Sequence, residues 1–474
     1  MLDRILAHKR DELARRKESV SLESLLAQCA PSRRSLVEAL RRGRPGFLLE
    51  IKFASPSGGV IRAGSDLAPV LRSYGRHADA VSVLTDRTFF GGSLERLAEV
   101  RARLEQPLLS KDFVLDPYQV AEARAHGADA VLLILAAVDD STWRACADLA
   151  DRLGMEVLTE VHDTAEAHRA DQLGAALIGV NNRDLRTLRV DPGTTGRVAP
   201  KIPADRLVVA ESGIESREHL TALRPHADAF LVGSALMREP DLDAAVRRLV
   251  YGRTKICGLT RAEDARAAIE AGATHGGMVF AAGSPRRITR EQAREVRRGA
   301  ELSWVGVFAN QAPEAVAAEA RALDLQAVQL HGEETPETVN RVRSLVPEGC
   351  EVWKAVAVDQ RIPLRKDTAA DRVLLDAPTP SVTSDRVRSA PRAVRGGTGQ
   401  SFDWSLLRGY AERKAVVLAG GLRAENVVQA AALGTFALDT SSGVESAPGK
   451  KDPSRLATFF AARRRLPGRG DDAR

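Results

Sequence analysis

Glu50 and Lys52 stand two residues apart in Glu50-Ile51-Lys52-Phe53-Ala54-Ser55-Pro56-Ser57, directly after the apolar run Phe47–Leu49. On a strand that spacing puts both side chains on one face. Ser55-Pro56-Ser57-Gly58-Gly59 then stops the strand. Opposite charges at the end of a buried strand are costly unless paired or used. The pair is therefore either a structural ion pair or part of a site. The rest of the first half favours a site. Polar groups stand at or near the ends of the apolar runs that follow: Thr85 and Asp86, Lys111, Glu160, Asn181 and Arg183, Glu211 and Ser212, and Ser234. Lysines facing carboxylates in a partly desolvated pocket have pKa values pushed apart, which suits general acid–base chemistry. A lysine there could instead form a Schiff base. Glu211-Ser212-Gly213-Ile214 and Val232-Gly233-Ser234-Ala235 add small residues and hydroxyls, which let backbone N–H groups approach a phosphate.

The second half offers a different set. Cys257 ends an apolar run in Lys255-Ile-Cys-Gly-Leu-Thr260, and Asp376 ends Val373-Leu-Leu375. A buried cysteine is commonly an inert small hydrophobe. Across one mouth from an aspartate, its thiolate could also act as a base with Asp376 as the acid. Arg286 either binds an anion or faces solvent, and His331 either caps a strand or joins the site. The Gly420-Gly421 and Ser441-Ser442-Gly443 loops again suit phosphate.

The elements that must carry these residues are short apolar runs alternating with amphipathic stretches. In the first half the runs are Phe47–Lys52, Ala80–Thr85, Pro107–Phe113, Ala130–Leu135, Glu156–Val161, Leu177–Asn182, Leu207–Ser212 and Ala229–Ser234. In the second they are Thr254–Leu259, His275–Phe280, Leu302–Phe308, Ala327–His331, Glu351–Ala357, Asp371–Ala377, Ala415–Leu422 and Phe436–Ser442. Two sets of eight strand–helix units predict an α/β protein of two fused (β/α)₈ TIM barrels, with active sites at the C-terminal ends of the strands. The expected domains are 1–252 and 253–474. Helical patterns over 1–45 precede the first strand, and the tail after Leu466 reads as frayed.

With 474 residues, the chain exceeds what one core usually holds. Hydrophobic residues make up 44% and charged residues 28%, as in soluble globular proteins. No apolar run approaches a membrane span of roughly 20 residues. Four scattered cysteines without a CxxC pair argue against a disulfide framework and a zinc site, and suggest a reducing cytoplasm. A net charge of +6 could suit a nucleic-acid binder, but the arginines are spread among Glu and Asp, and aromatic content is only 4%. The acidic mouth residues Glu50, Glu160 and Glu211 also speak against such a partner. Small phosphorylated substrates, no nucleic acid, no membrane and a monomer are the expectations. A sensor of phosphorylated sugars would fit the glycines but not Lys111 beside Glu160.

The first half closely resembles the indole-3-glycerol-phosphate synthase family. The matching words are Glu50-Ile-Lys-Phe-Ala-Ser-Pro-Ser57, Leu84-Thr-Asp-Arg-Thr-Phe-Phe-Gly-Gly-Ser93, Leu109-Ser-Lys-Asp-Phe113, Thr159-Glu-Val161, Gly179-Val-Asn-Asn-Arg-Asp-Leu185, Ala210-Glu-Ser-Gly-Ile214 and Val232-Gly-Ser234. The resemblance implies closure of carboxyphenylamino-deoxyribulose 5-phosphate to an indole, with loss of CO₂ and water. It implies Lys111 as the general acid and Glu160 as its acid–base partner. Glu50 and Lys52 join them, while Ser55, Asn181, Arg183 and Glu211 hold the substrate. Ser212, Gly213, Gly233 and Ser234 hold phosphate. The second half resembles the phosphoribosylanthranilate isomerase family through Lys255-Ile-Cys-Gly-Leu-Thr260, Val328-Gln-Leu-His-Gly-Glu333, Leu374-Leu-Asp376, Gly396-Gly-Thr-Gly-Gln-Ser-Phe-Asp-Trp404, Leu418-Ala-Gly-Gly-Leu422 and Asp439-Thr-Ser-Ser-Gly-Val-Glu445. That resemblance implies an Amadori rearrangement. Asp376 would open the sugar and Cys257 would remove the C2′ proton. Arg286 would bind the anthranilate carboxylate, with His331 beside the substrate. Gly420, Gly421, Ser441 and Ser442 would hold phosphate. Neither activity calls for a metal or an organic cofactor.

Three features need the structure. Phe53 stands where the first family often has a basic residue. Phe89-Phe90 either walls an anthranilate ring or simply packs a loop. The stretch between Asp376 and Gly396 is longer than in the second family, which leaves open a catalytically weak C-terminal barrel.

Overall fold

The computed structural model describes residues 1–43, 45–56, 58–62, 66–358, 361–378 and 401–466. The chain separates into two compact units, Met1–Val250 and Tyr251–Arg464, with Arg465 and Leu466 grouping with the first. Each unit contains a closed, all-parallel barrel of eight strands. The long stretch after Asp376 falls mostly on residues 379–400, outside those described.

The first barrel runs β1 Gly46–Ile51, β2 Ala80–Leu84, β3 Leu108–Lys111, β4 Ala130–Ile134, β5 Glu156–Val161, β6 Leu177–Asn181, β7 Leu207–Glu211 and β8 Ala229–Val232. It closes through β1 on β8, with Gly46 opposite Ala229 and Leu49 opposite Val232. The second runs β9 Thr254–Cys257, β10 His275–Val279, β11 Ser303–Phe308, β12 Ala327–Leu330, β13 Glu351–Ala357, β14 Arg372–Asp376, β15 Val416–Leu418 and β16 Ala437–Thr440. Strand β9 closes it against β16. Every strand but the first lies within its sequence-predicted run; β1 begins one residue earlier, at Gly46. Most strand residues are buried, because helices cover the outside and side chains fill the inside.

Helix starts keep the loops short. Ser93, Asp116, Asp139, Asp163 and Ser216 each accept a backbone N–H at the start of the following helix. Thr289 and Thr335 do so in the second unit.

The 1–45 extension forms α1 Leu2–Ser19, α2 Leu22–Leu26 and α3 Leu36–Gly43. On α1, Leu2, Ile5, Leu6, Lys9 and Leu13 are buried, the spacing of one apolar stripe. Lys9 falls on that stripe and is only 1% exposed. A buried ammonium needs partners. Its Nζ lies 2.9 Å from Asp86 and 2.9 Å from Asp112, which follow the ends of β2 and β3. Asp86 in turn accepts the N–H groups of Phe89 and Phe90. Asp112 accepts the Thr85 hydroxyl at 3.0 Å. The extension is thereby fastened to the residue next to Lys111. In Lys9→Met both aspartates stay buried without their cation, which is expected to cost about 3–5 kcal/mol. Hydrogen exchange of the α1 amides measures it, and unchanged protection would contradict the anchoring role.

Candidate active sites

Strand periodicity builds the first site. Side chains two apart share a face. Leu48, Leu109, Leu158, Leu177 and Val209 lie in the barrel core. Glu50, Lys111, Glu160 and Glu211 stand two residues further along their strands, and Asn181 four, so all rise from the same inward face one level up. Lys52 continues β1 beyond its end. These six line a cavity of about 240 Å³ together with Arg183, Ser212, Gly213, Gly233 and Ser234. Every residue expected in the first site lines it except Ser55. That serine instead accepts the Gly58 N–H at 3.1 Å in a tight turn.

The lower layer is greasy and the upper layer is charged, so the charges must compensate one another. Glu50, Glu160 and Glu211 are each 1% exposed. Lys52 Nζ lies 2.6 Å from Glu50. Lys111 Nζ donates to Glu211 at 2.9 Å and to Glu160 at 3.3 Å. Burial alone would pull the Lys111 pKa down, but the charges of Glu211, Glu160 and Glu50 outweigh it and raise it. For Glu160, burial pushes upward, yet Lys111 and His162 win and hold it below the usual carboxylate range. Glu211 goes the other way, to about 7, through burial and the neighbouring Glu160 charge, with Lys111 only partly opposing. One buried carboxylate stays ionised while another takes up a proton near neutrality, a division suited to acid–base work. Two glycines make room for them. A Cβ at Gly179 would run into Glu211 Oε1, and one at Gly233 would lie 2.5 Å from Glu50 Oε1.

The far end of the cavity is formed by the loops after β7 and β8. Ser212 and Gly213 both have positive φ, 64° and 74°. For serine that conformation stores strain. Asn182 sustains it: its amide donates to the Ser212 carbonyl at 3.1 Å, and its oxygen accepts from the Thr195 backbone and hydroxyl. Arg183 and Arg238 line the same cavity. Burial first, then the Arg238 charge, lowers the Arg183 pKa. An anion bound there would relieve that crowding of cations.

Aromatic placement answers two sequence questions. Phe90 lines the cavity, with Lys52 Nζ 5.9 Å from its ring centroid. Phe89 packs edge-on to His8 of α1 at 5.6 Å. Phe53 is 8% exposed, and the Arg96 guanidinium lies 4.6 Å from its ring. A cation therefore still attends that position, supplied from outside the strand.

In the second barrel, Lys255 and Cys257 share the inward face of β9. Lys255 is fully buried, and its Nζ lies 3.1 Å from each oxygen of Asp439 on β16. Burial pushes the Cys257 thiol up, while the Lys255 ammonium pulls it back. Asp376 follows Leu374 on the inward face of β14, and burial raises its pKa to about 6. His331 Nε2 lies 3.6 Å from Asp376. His331 Nδ1 in turn lies 2.8 Å from the Gln329 side-chain amide, which fixes the ring beside Asp376. Gly420, with φ of 82°, closes over Asp376: a Cβ there would lie 3.2 Å from its Oδ1. Thr440 donates to the Leu422 carbonyl at 2.8 Å, tying the Gly420-Gly421 loop to the Ser441-Ser442 loop. The Ser441 hydroxyl donates to the Cys257 carbonyl at 3.0 Å. Arg286 is gripped through Nε and a terminal nitrogen by Glu445, at 2.9 and 2.6 Å. It crosses Gly258, where a Cβ would strike its side chain.

Sequence reasoning missed several of these residues. Arg238 lies four residues beyond Ser234, a signal within reach of that loop. His162 stands two residues beyond Glu160, a spacing that was available. The Lys255–Asp439 pair joins residues 184 apart, which no local pattern discloses. Among the described residues, no group of three or more His, Cys, Asp or Glu is placed to hold a metal ion.

Comparison with known proteins identifies the family of each unit. The Salmonella typhi tryptophan biosynthesis protein TrpCF is 45% identical over 460 residues, covering 97% of this chain and 98% of that protein. The protein of the same name from Yersinia pestis is 44% identical over 464 residues, covering 98% of this chain and 94% of that one. The Haemophilus influenzae protein is 40% identical over 471 residues, covering 97% and 96%. Residues 2–249 match the model of indole-3-glycerol phosphate synthase, and residues 254–462 match that of N-(5'phosphoribosyl)anthranilate isomerase. The two barrels, with their unlike sites, therefore belong to these two families, the synthase first in the chain and the isomerase second.

Proposed function

We propose that the mouth of each barrel carries out one of two consecutive reactions with the residues just described. The chain is a bifunctional enzyme of tryptophan biosynthesis. The C-terminal barrel isomerises N-(5-phosphoribosyl)anthranilate to 1-(2-carboxyphenylamino)-1-deoxyribulose 5-phosphate. The N-terminal barrel cyclises that ketone to indole-3-glycerol phosphate, with loss of CO₂ and water. The observation that carries the assignment is Lys111, a buried ammonium shared by Glu211 and Glu160 in one cavity with two phosphate-type loops.

In the isomerase, Asp376 gives its proton to the ribose ring oxygen, and the C1′–O bond opens. The Cys257 thiolate then removes the C2′ proton, and the enolamine collapses to the ketone. Arg286, oriented by Glu445, takes the anthranilate carboxylate. In the synthase, Lys111 protonates the ketone oxygen as the aromatic carbon attacks, and Glu160 serves as acid–base partner in the dehydration. Glu50 and Lys52 stabilise developing charge. Asn181, Arg183 and Glu211 position the substrate, with phosphate at Ser212, Gly213, Gly233, Ser234 and Arg238. Phosphate of the first substrate sits on Gly420, Gly421, Ser441 and Ser442. Four free cysteines fit a reducing cytoplasm, and we take the working form to be a monomer with small phosphorylated molecules as its partners.

Feeding phosphoribosylanthranilate to purified protein and following products over time checks the division of labour. Native protein is expected to release indole-glycerol phosphate, Lys111→Ala to accumulate the ketone, and Cys257→Ala to leave the substrate untouched. Turnover by Cys257→Ala at the native rate would remove that residue from the mechanism.

The pH dependence of isomerisation follows from Asp376 near 6 and a raised Cys257. The active form needs the acid protonated and the thiol ionised. Above pH 6 one fraction falls as the other rises, so kcat/KM is expected to be flat until Cys257 titrates. Below pH 6 Asp376 is already protonated, thiolate keeps declining, and kcat/KM falls. In Asp376→Asn the rate is expected to drop by ~10²–10⁴-fold, with a residue that climbs about tenfold per pH unit through the former plateau. A surviving plateau would contradict Asp376 as the acid.

A further inference from the structure

We propose that His162 is a positioning residue that decides which of the two carboxylates facing Lys111 serves as the base: held as an imidazolium by Glu166, it keeps Glu160 ionised and leaves Glu211 to take up the proton. This rests on reading Glu160 as the acid–base partner in ring closure.

Distance from Lys111 would favour the opposite outcome. The ammonium is closer to Glu211, at 2.9 Å, than to Glu160, at 3.3 Å, and both carboxylates are 1% exposed. Two buried carboxylates around one lysine do not both stay ionised without a second cation. The difference lies behind them. Glu160 Oε1 faces His162 Nε2 at 3.3 Å. Glu211 Oε1 lies against Gly179. Neither it nor Glu160 Oε1 makes a hydrogen bond among the described residues, so what separates the two is the imidazole at ion-pair distance from Glu160. Glu160 thus has Lys111 on one side and the His162 ring on the other, whereas Glu211 pairs with Lys111.

His162 is fixed from its outer side. Its Nδ1 lies 3.1 Å from Glu166 Oε2, and its backbone N–H donates to the same oxygen at 2.8 Å. Glu166 sits in the first turn of the helix Thr164–Gln172, where Asp163 caps its N–H at 2.9 Å. With a carboxylate within 3.3 Å of each ring nitrogen, the doubly protonated ring is the form that both carboxylates favour. The charged groups bearing on the ring are Glu160 from β5 and Glu166 from the following helix. Beyond Glu160 lies Lys111 from β3. Burial works against the imidazolium, yet these two carboxylates raise its pKa to about 10.

The test is the pH profile of kcat for closure of supplied ketone by the full chain, with KM and melting temperature alongside. In His162→Asn the acid limb is expected to move up by about one to three pH units, the usual effect of losing an opposite charge at this range. KM is expected to hold within about twofold, since a positioned base acts in the transition state. His162→Lys restores a cation and is expected to return the limb towards the native position. A profile for His162→Asn that overlays the native one, with or without a lower melting temperature, overturns the proposal. So does a His162→Lys limb displaced as far as that of His162→Asn. Glu160→Gln separates the two levels. If it is inactive while His162→Asn is unshifted, only this inference falls; if it turns over at the native rate, the assignment of Glu160 falls and takes the inference with it. An NMR titration of the native His162 ring needs no variant: a midpoint near 10 supports the clamp, and one near the ordinary 6.5 overturns it.

Discussion

Charge removed from water is the constraint on which the first unit is built. Three carboxylates and two ammonium groups meet at one barrel mouth, above a layer of leucine and valine. None is tolerable there alone. Together they are held at ion-pair distance by rigid strands, and the same crowding drives Glu160 down and Glu211 up. The features needed to keep charges buried are also those that make an acid and a base in one pocket. Glycines at 179 and 233 and the capped helix starts serve that arrangement, by giving the carboxylates room and by limiting how far each strand end can move. The extension belongs to the same scheme, because Lys9 bridges the two aspartates beside the Phe90 wall and Lys111.

The second unit solves a different problem on the same scaffold. The acid and base proposed for it are weakly polarised, a carboxyl raised by burial and a thiol raised by burial. The Lys255–Asp439 pair supplies a fixed buried charge pair on this scaffold, as Lys111 and its carboxylates do in the first unit. Ordering of the loops is also shared. In each unit a residue outside the chemistry ties the seventh loop down: Asn182 holds the Ser212 carbonyl, and Thr440 holds that of Leu422.

Much of this was legible in the sequence because a closed parallel barrel makes strand position meaningful. An apolar run that ends in Glu, Lys or Asp two residues beyond an inward leucine can point that group only into the mouth. Glu50, Lys111, Glu160 and Asp376 follow that pattern, and Glu211 follows it behind a valine; Cys257 also ends such a run, but its role came from the family resemblance. What escaped depended on contacts between distant segments or on side-chain direction. Lys9 looked like any helix lysine until its stripe met Asp86 and Asp112. Ser55, within the signature, is engaged in a local turn with Gly58. Of two adjacent phenylalanines only Phe90 reached the cavity, since α1 takes up Phe89. His162 was in plain view, but its partner Glu166 lies across a strand-to-helix turn, and the pairing of the two is not a sequence pattern.

The central claim is that each unit holds the complete machinery for one of two consecutive reactions. Mixing the Lys111→Ala and Cys257→Ala proteins in one vessel, with phosphoribosylanthranilate as the only substrate, tests it most directly. Each protein is blocked alone. The mixture is expected to form indole-glycerol phosphate, with the ketone passing through solution from the intact isomerase of one chain to the intact synthase of the other. A mixture that stays blocked, although each protein is folded, would contradict the claim and show that the two mouths do not work as separate, self-sufficient sites.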